Sequence, residues 1–158
     1  MPLSYCDTPI GTLGIVTEGE ALVRLLWPGE LPALKEEVDL TALDREVVKQ
    51  LQAYFKRSLK VFDLPLRATG TPFQEKVWAA LQRIPYGSRV SYQQIATEIG
   101  NPKACRAVGL ANSRNPIPII IPCHRVVGKD GSLTGFGGGL GVKEQLLRLE
   151  LDLNIMKG

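Results

Sequence analysis

Cys123 stands beside His124, the only histidine of the chain, in the run Ile121-Pro122-Cys123-His124-Arg125. The thiolate is the reactive form of cysteine, so a base or cation near the sulfur raises the nucleophilic fraction. In an extended chain, consecutive side chains point to opposite faces. His124 would then reach the sulfur only through a turn or a bridging water. The same adjacency also fits a buried, inert cysteine next to a structural histidine, the commoner state of free cysteine. Glu150 adds a third group. Leu146 and Leu147 lie at i−4 and i−3, and Leu149 and Leu151 flank it. A carboxylate buried on such a face needs a partner. His124 would complete a Cys–His–Glu relay in which Glu150 orients the imidazole. At a frayed helix end Glu150 would instead be solvated, as most charged residues are. Cys6 and Cys105 are read as structural.

The bulk properties narrow the possibilities. With 44% hydrophobic and 22% charged residues in 158, the chain can bury a core and is not a disordered polymer. Three cysteines without a secretory leader argue against a disulfide framework. No two of them have metal-ligand spacing, so no metal is expected. The first residues show no basic segment followed by an apolar run. The longest apolar stretch, around Ile117 to Ile121, is far too short to cross a bilayer. These readings point to a cytoplasmic protein that does not engage membranes. Residues 1–68 carry 8 Lys or Arg against 10 Asp or Glu, whereas residues 69–158 carry 11 against 6. The C-terminal part suits a polyanion such as DNA, or has an ordinary solvated surface.

The elements that must position these residues fall into two groups. Residues 1–27 read as short strands, with turn glycines and β-branched residues in Ile10 to Thr17 and an apolar run from Ala21 to Trp27. Pro28-Gly29 marks a turn. A helix starts at Thr41, with Asp44 three residues on, and Leu43, Val47, Leu51 and Phe55 repeat along it at helical spacing. This small α/β unit holds nothing catalytic. Arg67 to Gly70 connects it to a second unit, giving boundaries of 1–68 and 69–158. There, Thr71 caps a helix with Pro72 at its first position and Gln74 bonding back. Phe73, Val77, Leu81 and Ile84 form its stripe.

Ser91 and Gln94 repeat the capping pattern and open a short helix containing Ile95, Ala96 and Ile99. Gly100 suits a left-handed helix end. Asn101 then caps and Pro102 starts a helix through Ala104, Arg106, Val108 and Leu110 to about Asn112. Two short helices joined this tightly make a helix-turn-helix or a plain αα-hairpin. Asn115 to Pro122 reads as an extended, mostly buried segment that delivers Cys123. Val126-Val127 and the turn at Lys129-Asp130-Gly131 suggest a hairpin or loop. Glycines from Gly135 to Gly141 allow close backbone approach. A last helix runs from about Val142 to Leu151.

The run Ile121-Pro122-Cys123-His124-Arg125-Val126-Val127 resembles the active-site motif of the O6-alkylguanine-DNA alkyltransferases, the methylated-DNA–protein-cysteine methyltransferases. Tyr92-Gln93-Gln94, Gly100-Asn101-Pro102-Lys103, Arg106-Ala107-Val108-Gly109, Asn115-Pro116, Gly138-Gly139-Leu140 and Val142-Lys143-Glu144 match in order and spacing. The resemblance is close over residues 71–151 and in outline before them. It implies an α/β N-terminal unit followed by a mainly α, winged helix-turn-helix-like DNA-binding and active-site domain.

It also implies roles. Cys123 would accept the alkyl group, and His124, through water, would help form the thiolate. Glu150 would orient His124, and Asn115 would tie the active-site segments together. Tyr92 would help rotate the nucleotide outward and deliver a proton to the leaving guanine. Tyr92, Gln93, Asn101, Arg106 and Lys129 would contact DNA in the minor groove, with Arg106 filling the gap left by the extruded base. Val126, Phe136, Gly137 and Lys143 would line the guanine pocket. No cofactor or metal is implied, and the partner is double-stranded DNA bearing O6-alkylguanine, met by a monomer. Phe136 and Gly137 depart from the tyrosine and serine of many members, which bears on substrate range. Alkyl size and activity on O4-alkylthymine stay open. Three other readings compete: a lesion binder without transfer, a helix-turn-helix regulator and a cysteine hydrolase.

Overall fold

A computed structural model of the chain describes residues 3–33, 39–132 and 139–151. Contacts divide the chain into two units, residues 1–68 and 69–158.

The first unit is built on an antiparallel sheet. Strands β1 (Ser4–Thr8), β2 (Gly11–Glu18) and β3 (Ala21–Leu26) pair in sequence order, with a register shift at Val16/Thr17. Helix α1 (Ala42–Phe55) packs on the sheet. The helix begins one residue after the expected Thr41, which with Asp44 forms its capping box, and Thr17 Oγ1 donates to Asp44 Oδ1 at 2.9 Å. The cap therefore also fastens the helix to β2. Leu13, Ile15, Leu22, Val47, Leu51 and Tyr54 form the core.

The second unit is mainly helical. Helix α2 (Pro72–Leu81) starts with the Thr71–Gln74 capping box. Its Val77 and Leu81 are buried, with Ile84 just beyond. Trp78 is buried too, and its indole Nε1 donates to the Ala111 carbonyl at 2.9 Å. Strand β4 (Val90–Ser91) leads directly into α3 (Tyr92–Glu98), capped by Ser91 and Gln94. Helix α4 (Cys105–Ser113) follows. Helices α2, α3 and α4 pack on one another.

The turn between α3 and α4 differs from expectation. Gly100 takes φ +80°, and its N–H bonds to Thr97 while that of Asn101 bonds to Ala96. This is the paired bonding of a Schellman ending. Asn101 is thus used to close α3 and does not cap the next helix. The Ala104 N–H bonds to the Asn101 carbonyl, and α4 begins at Cys105 rather than Pro102, without a side-chain cap.

The segment before Cys123 is buried but not extended. Ile120 bonds to Pro118 and Ile121 to Ile117, so the chain coils into tight turns. Ile119 adopts φ +73°, a strained conformation for a β-branched residue. Cys123–Arg125 form a single 3-10 turn. Strand β5 (Val126–Val127) pairs in parallel with β4 rather than as a hairpin. Helix α5 (Leu140–Glu150) starts two residues before the predicted Val142 and packs against the 3-10 turn.

Candidate active site

The 3-10 turn decides the relation of Cys123 to His124. With three residues per turn, consecutive side chains diverge by about 120°, so the opposite-face geometry of a strand does not apply. Both residues are buried, at 4% and 0% exposure.

His124 Nε2 lies 2.5 Å from Glu150 Oε2. The carboxylate accepts, so Nε2 carries the proton and Nδ1 presents its lone pair. Nδ1 is buried and has no hydrogen-bond partner among the described residues. A neutral imidazole with one nitrogen oriented and the other unengaged is the form a general base takes. Burial holds the His124 pKa below its ordinary value, against the hydrogen bond and charge of Glu150. The ring is therefore neutral at pH 7.

Glu150 is buried, not at a wet helix end. It accepts from Arg125 Nε at 2.8 Å and Nη2 at 3.0 Å, and from the Gly87 N–H at 3.3 Å. Burial alone would raise its carboxyl. The hydrogen bonds from His124 and Arg125 and the charge of Arg125, joined by that of His124 once its ring protonates at low pH, outweigh burial and hold it at about 2. Arg125 was not among the residues singled out from sequence. Its Nη1 donates to the Ile84 carbonyl at 2.7 Å, and its guanidinium lies over the Tyr86 ring at 5.7 Å. A cation two residues after a cysteine gives no hint of such distant partners.

Burial pushes the Cys123 thiol up to about 11. The Asn115 side-chain amide, the Lys143 charge and the backbone N–H groups of Cys123 and Ile119 each pull the other way. The turn at Ile119 thus brings a backbone donor to the sulfur. Lys143 is fully buried, and burial lowers its ammonium to about 8, opposed by Cys123. Its Nζ lies 5.9 Å from the Tyr92 ring centre. A Cβ at Gly109 would come 3.8 Å from that ring, so α4 passes close beside Tyr92. Tyr92, Lys143 and Cys123 are thereby linked.

Asn115 Nδ2 donates to the Ile121 carbonyl at 2.7 Å and Oδ1 accepts from the Ile117 N–H at 3.0 Å. Val126 is buried directly after the 3-10 turn. Gln93 Nε2 donates to the Pro102 carbonyl at 2.9 Å, bracing the turn between α3 and α4. Asn101 and Arg106 are exposed, as is Lys129 in the turn after β5. Phe136 and Gly137 lie outside the described residues. Among the described residues, no three His, Cys, Asp or Glu side chains are placed to hold a metal. No described helix is long and apolar enough to cross a membrane.

Comparison with known proteins adds an independent line. Residues 72–151 match the DNA binding domain of 6-O-methylguanine DNA methyltransferase, and residues 1–68 match its ribonuclease-like domain. The chain belongs to the 6-O-methylguanine DNA methyltransferase family. Among its relatives is the methylated-DNA–protein-cysteine methyltransferase of Methanosarcina barkeri, 55% identical over 149 residues, covering 91% of this chain and 93% of that protein. The constitutive enzyme of Bacillus subtilis is 48% identical, covering 91% and 92%. Within the family, the crystal structure of Mycobacterium tuberculosis OGT in complex with DNA matches with a TM-score of 0.86 and 47% identity, covering 94% of this chain and 91% of that one. The α/β unit followed by a helical domain is thus the family architecture.

Proposed function

We propose that the protein repairs DNA by moving the alkyl group of O6-alkylguanine onto its own Cys123, each molecule acting once. The observation that carries this reading is the buried Cys123–His124–Glu150 arrangement in a chain of this family. The partner is double-stranded DNA, entered from the minor groove by α4. The protein acts as a monomer in the cytoplasm, or the nucleus of a eukaryote, with residues 1–68 and 69–158 as separate domains. O4-alkylthymine is a second candidate substrate.

The alkyl carbon sits on a base atom that a side chain cannot attack inside the stack. Extruding the base costs a few kcal/mol, and less for a lesion that pairs poorly. Arg106, exposed on α4, is long enough to occupy the space left behind and offset part of that loss. Asn101, Gln93 and Lys129 contribute backbone contacts. Val126, Lys143 and the segment containing Phe136 and Gly137 receive the base.

Chemistry then needs a thiolate where burial favours a thiol. His124 Nδ1 takes the Cys123 proton through water, and Glu150 stabilises the imidazolium that forms. Lys143 and the amides around the sulfur favour the anion. The sulfur attacks the alkyl carbon in line: the S–C bond forms, the C–O6 bond breaks, and guanine leaves with that electron pair. The proton held by His124 is handed on past Tyr92 to the leaving guanine, which returns both the imidazole and the base to their neutral forms. The thioether is stable, so Cys123 is not regenerated.

Replacing the acceptor tests this reading. Cys123→Ser should abolish transfer of a labelled methyl group from an O6-methylguanine duplex while the duplex still binds. Transfer persisting in that variant would exclude Cys123 as the acceptor.

A further inference from the structure

Two asparagine amides, Asn112 in the last turn of α4 and Asn115 just beyond its end, reach the same short stretch of backbone. Asn115 Nδ2 donates to the Ile121 carbonyl at 2.7 Å, and Asn112 Nδ2 donates to the Cys123 carbonyl at 3.2 Å. The residues are three apart, about one helical turn. The carbonyls they hold are two apart, on either side of Pro122, which has no N–H with which to fix the turn itself.

The Asn112 bond is poorly explained by stability. Asn112 is 1% exposed, and its Oδ1 has no hydrogen-bond partner among the described residues. A buried acceptor left without a donor costs about 1–3 kcal/mol. The Cys123 carbonyl already accepts from the Val126 N–H. The Asn112 amide therefore rescues no group that would otherwise lack a partner, while one of its own atoms has none among the described residues. A leucine has the same branched outline of four side-chain heavy atoms and carries no polar atom, so it would avoid that cost. What the amide supplies is a second direction of restraint on the backbone of Cys123, set by the helix that also carries Arg106.

We propose that Asn112 is a positioning residue for alkyl transfer, fixing the Cys123 backbone, and through it Sγ, to α4. This rests on the reading of Cys123 as the acceptor. An in-line displacement requires the attacking atom about 3–3.5 Å from the carbon along the line of the breaking bond, and a misplacement of about 1 Å costs roughly 100-fold in rate. The amide of Asn112 and that of Asn115 together hold the 121–123 backbone at two points, so the Cα of Cys123, from which Sγ projects, cannot pivot about a single anchor.

The test uses the full chain and the free base O6-benzylguanine, which needs no base extrusion. Asn112→Leu and Asn112→Ala both remove the amide but differ in packing. Single-turnover alkylation is measured against base concentration, alongside thermal melting. The expected result is a fall of about 10-fold or more in the saturating rate in both variants. The half-saturating concentration should stay at the parent value. The leucine variant should melt at or above the parent, and the alanine variant below it. A leucine variant with the parent rate overturns the proposal. So does one that melts as low as the alanine variant, or a rate loss that follows melting temperature rather than loss of the amide. The parent protein failing to transfer any alkyl group would instead overturn the reading of Cys123.

Discussion

Glu150→Gln removes one charge from a buried network and leaves its shape intact. The carboxyl is held at about 2 against an ordinary value of 4.5, by His124 and Arg125 acting against burial. At about 1.4 kcal/mol per pKa unit, that preference for the charged form amounts to about 3 kcal/mol. Removing one partner of a buried pair costs about 3–5 kcal/mol by comparison with other proteins. The two figures agree because Arg125 would be left nearly buried without its counter-charge. For a chain of this length, 3 kcal/mol corresponds to a fall in melting temperature of about 10 °C. The sign of the pH dependence follows from the direction of the shift. A carboxyl whose folded pKa is depressed adds stability above its unfolded value near 4.5, and that stability disappears as pH falls towards 2. Urea denaturation of parent and variant from pH 7 downwards measures both effects. The gap between them should be about 3 kcal/mol at pH 7 and should narrow below pH 4.5. A gap under about 1 kcal/mol, or one that does not change with pH, would refute the assignment of Glu150 as the charged hub of the site.

Three further outcomes are expected. Arg106→Ala should slow repair of an alkylated duplex by about 10-fold or more, the equivalent of about 1.4 kcal/mol out of the few kcal/mol that base extrusion costs, and leave reaction with the free base unchanged; equal losses on both would remove its role in extrusion. The rate of transfer should hold as pH is lowered through 6.5, because the His124 pKa is lowered, and fall only once the imidazole protonates. Rapid-mix rates from pH 5 to 8 check this, and loss of rate centred at 6.5 or above contradicts it. Lys143→Met should slow transfer, since its charge favours the Cys123 thiolate. It should also raise thermal stability at neutral pH, because a lysine lowered to about 8 opposes folding below its ordinary range; a lower melting temperature there would argue against that.

Much of the site was legible where interactions are local. Thr41, Thr71 and Ser91 cap their helices through bonds only three residues long, which spacing reveals directly. The competition at Asn101 was not visible, because its N–H suits either closing α3 or opening α4, and packing decides. The leucines around Glu150 pointed to burial, and pairing with His124 follows from the need to balance a buried charge. Arg125, Asn112 and Trp78 went unrecognised because their partners lie 11 to 41 residues away in the chain. Ile119 gives no sequence signal for a positive φ, since a β-branched residue disfavours it. Its conformation is imposed by the turns that seat Cys123.

The most direct measurement is the mass of the intact protein after incubation with a duplex containing O6-methylguanine. The expected result is the gain of one methyl group, mapped to Cys123 and ceasing at one equivalent, with guanine restored in the DNA. An unchanged protein mass with the methyl group still on bound DNA would contradict alkyl transfer and leave recognition of the lesion as the function.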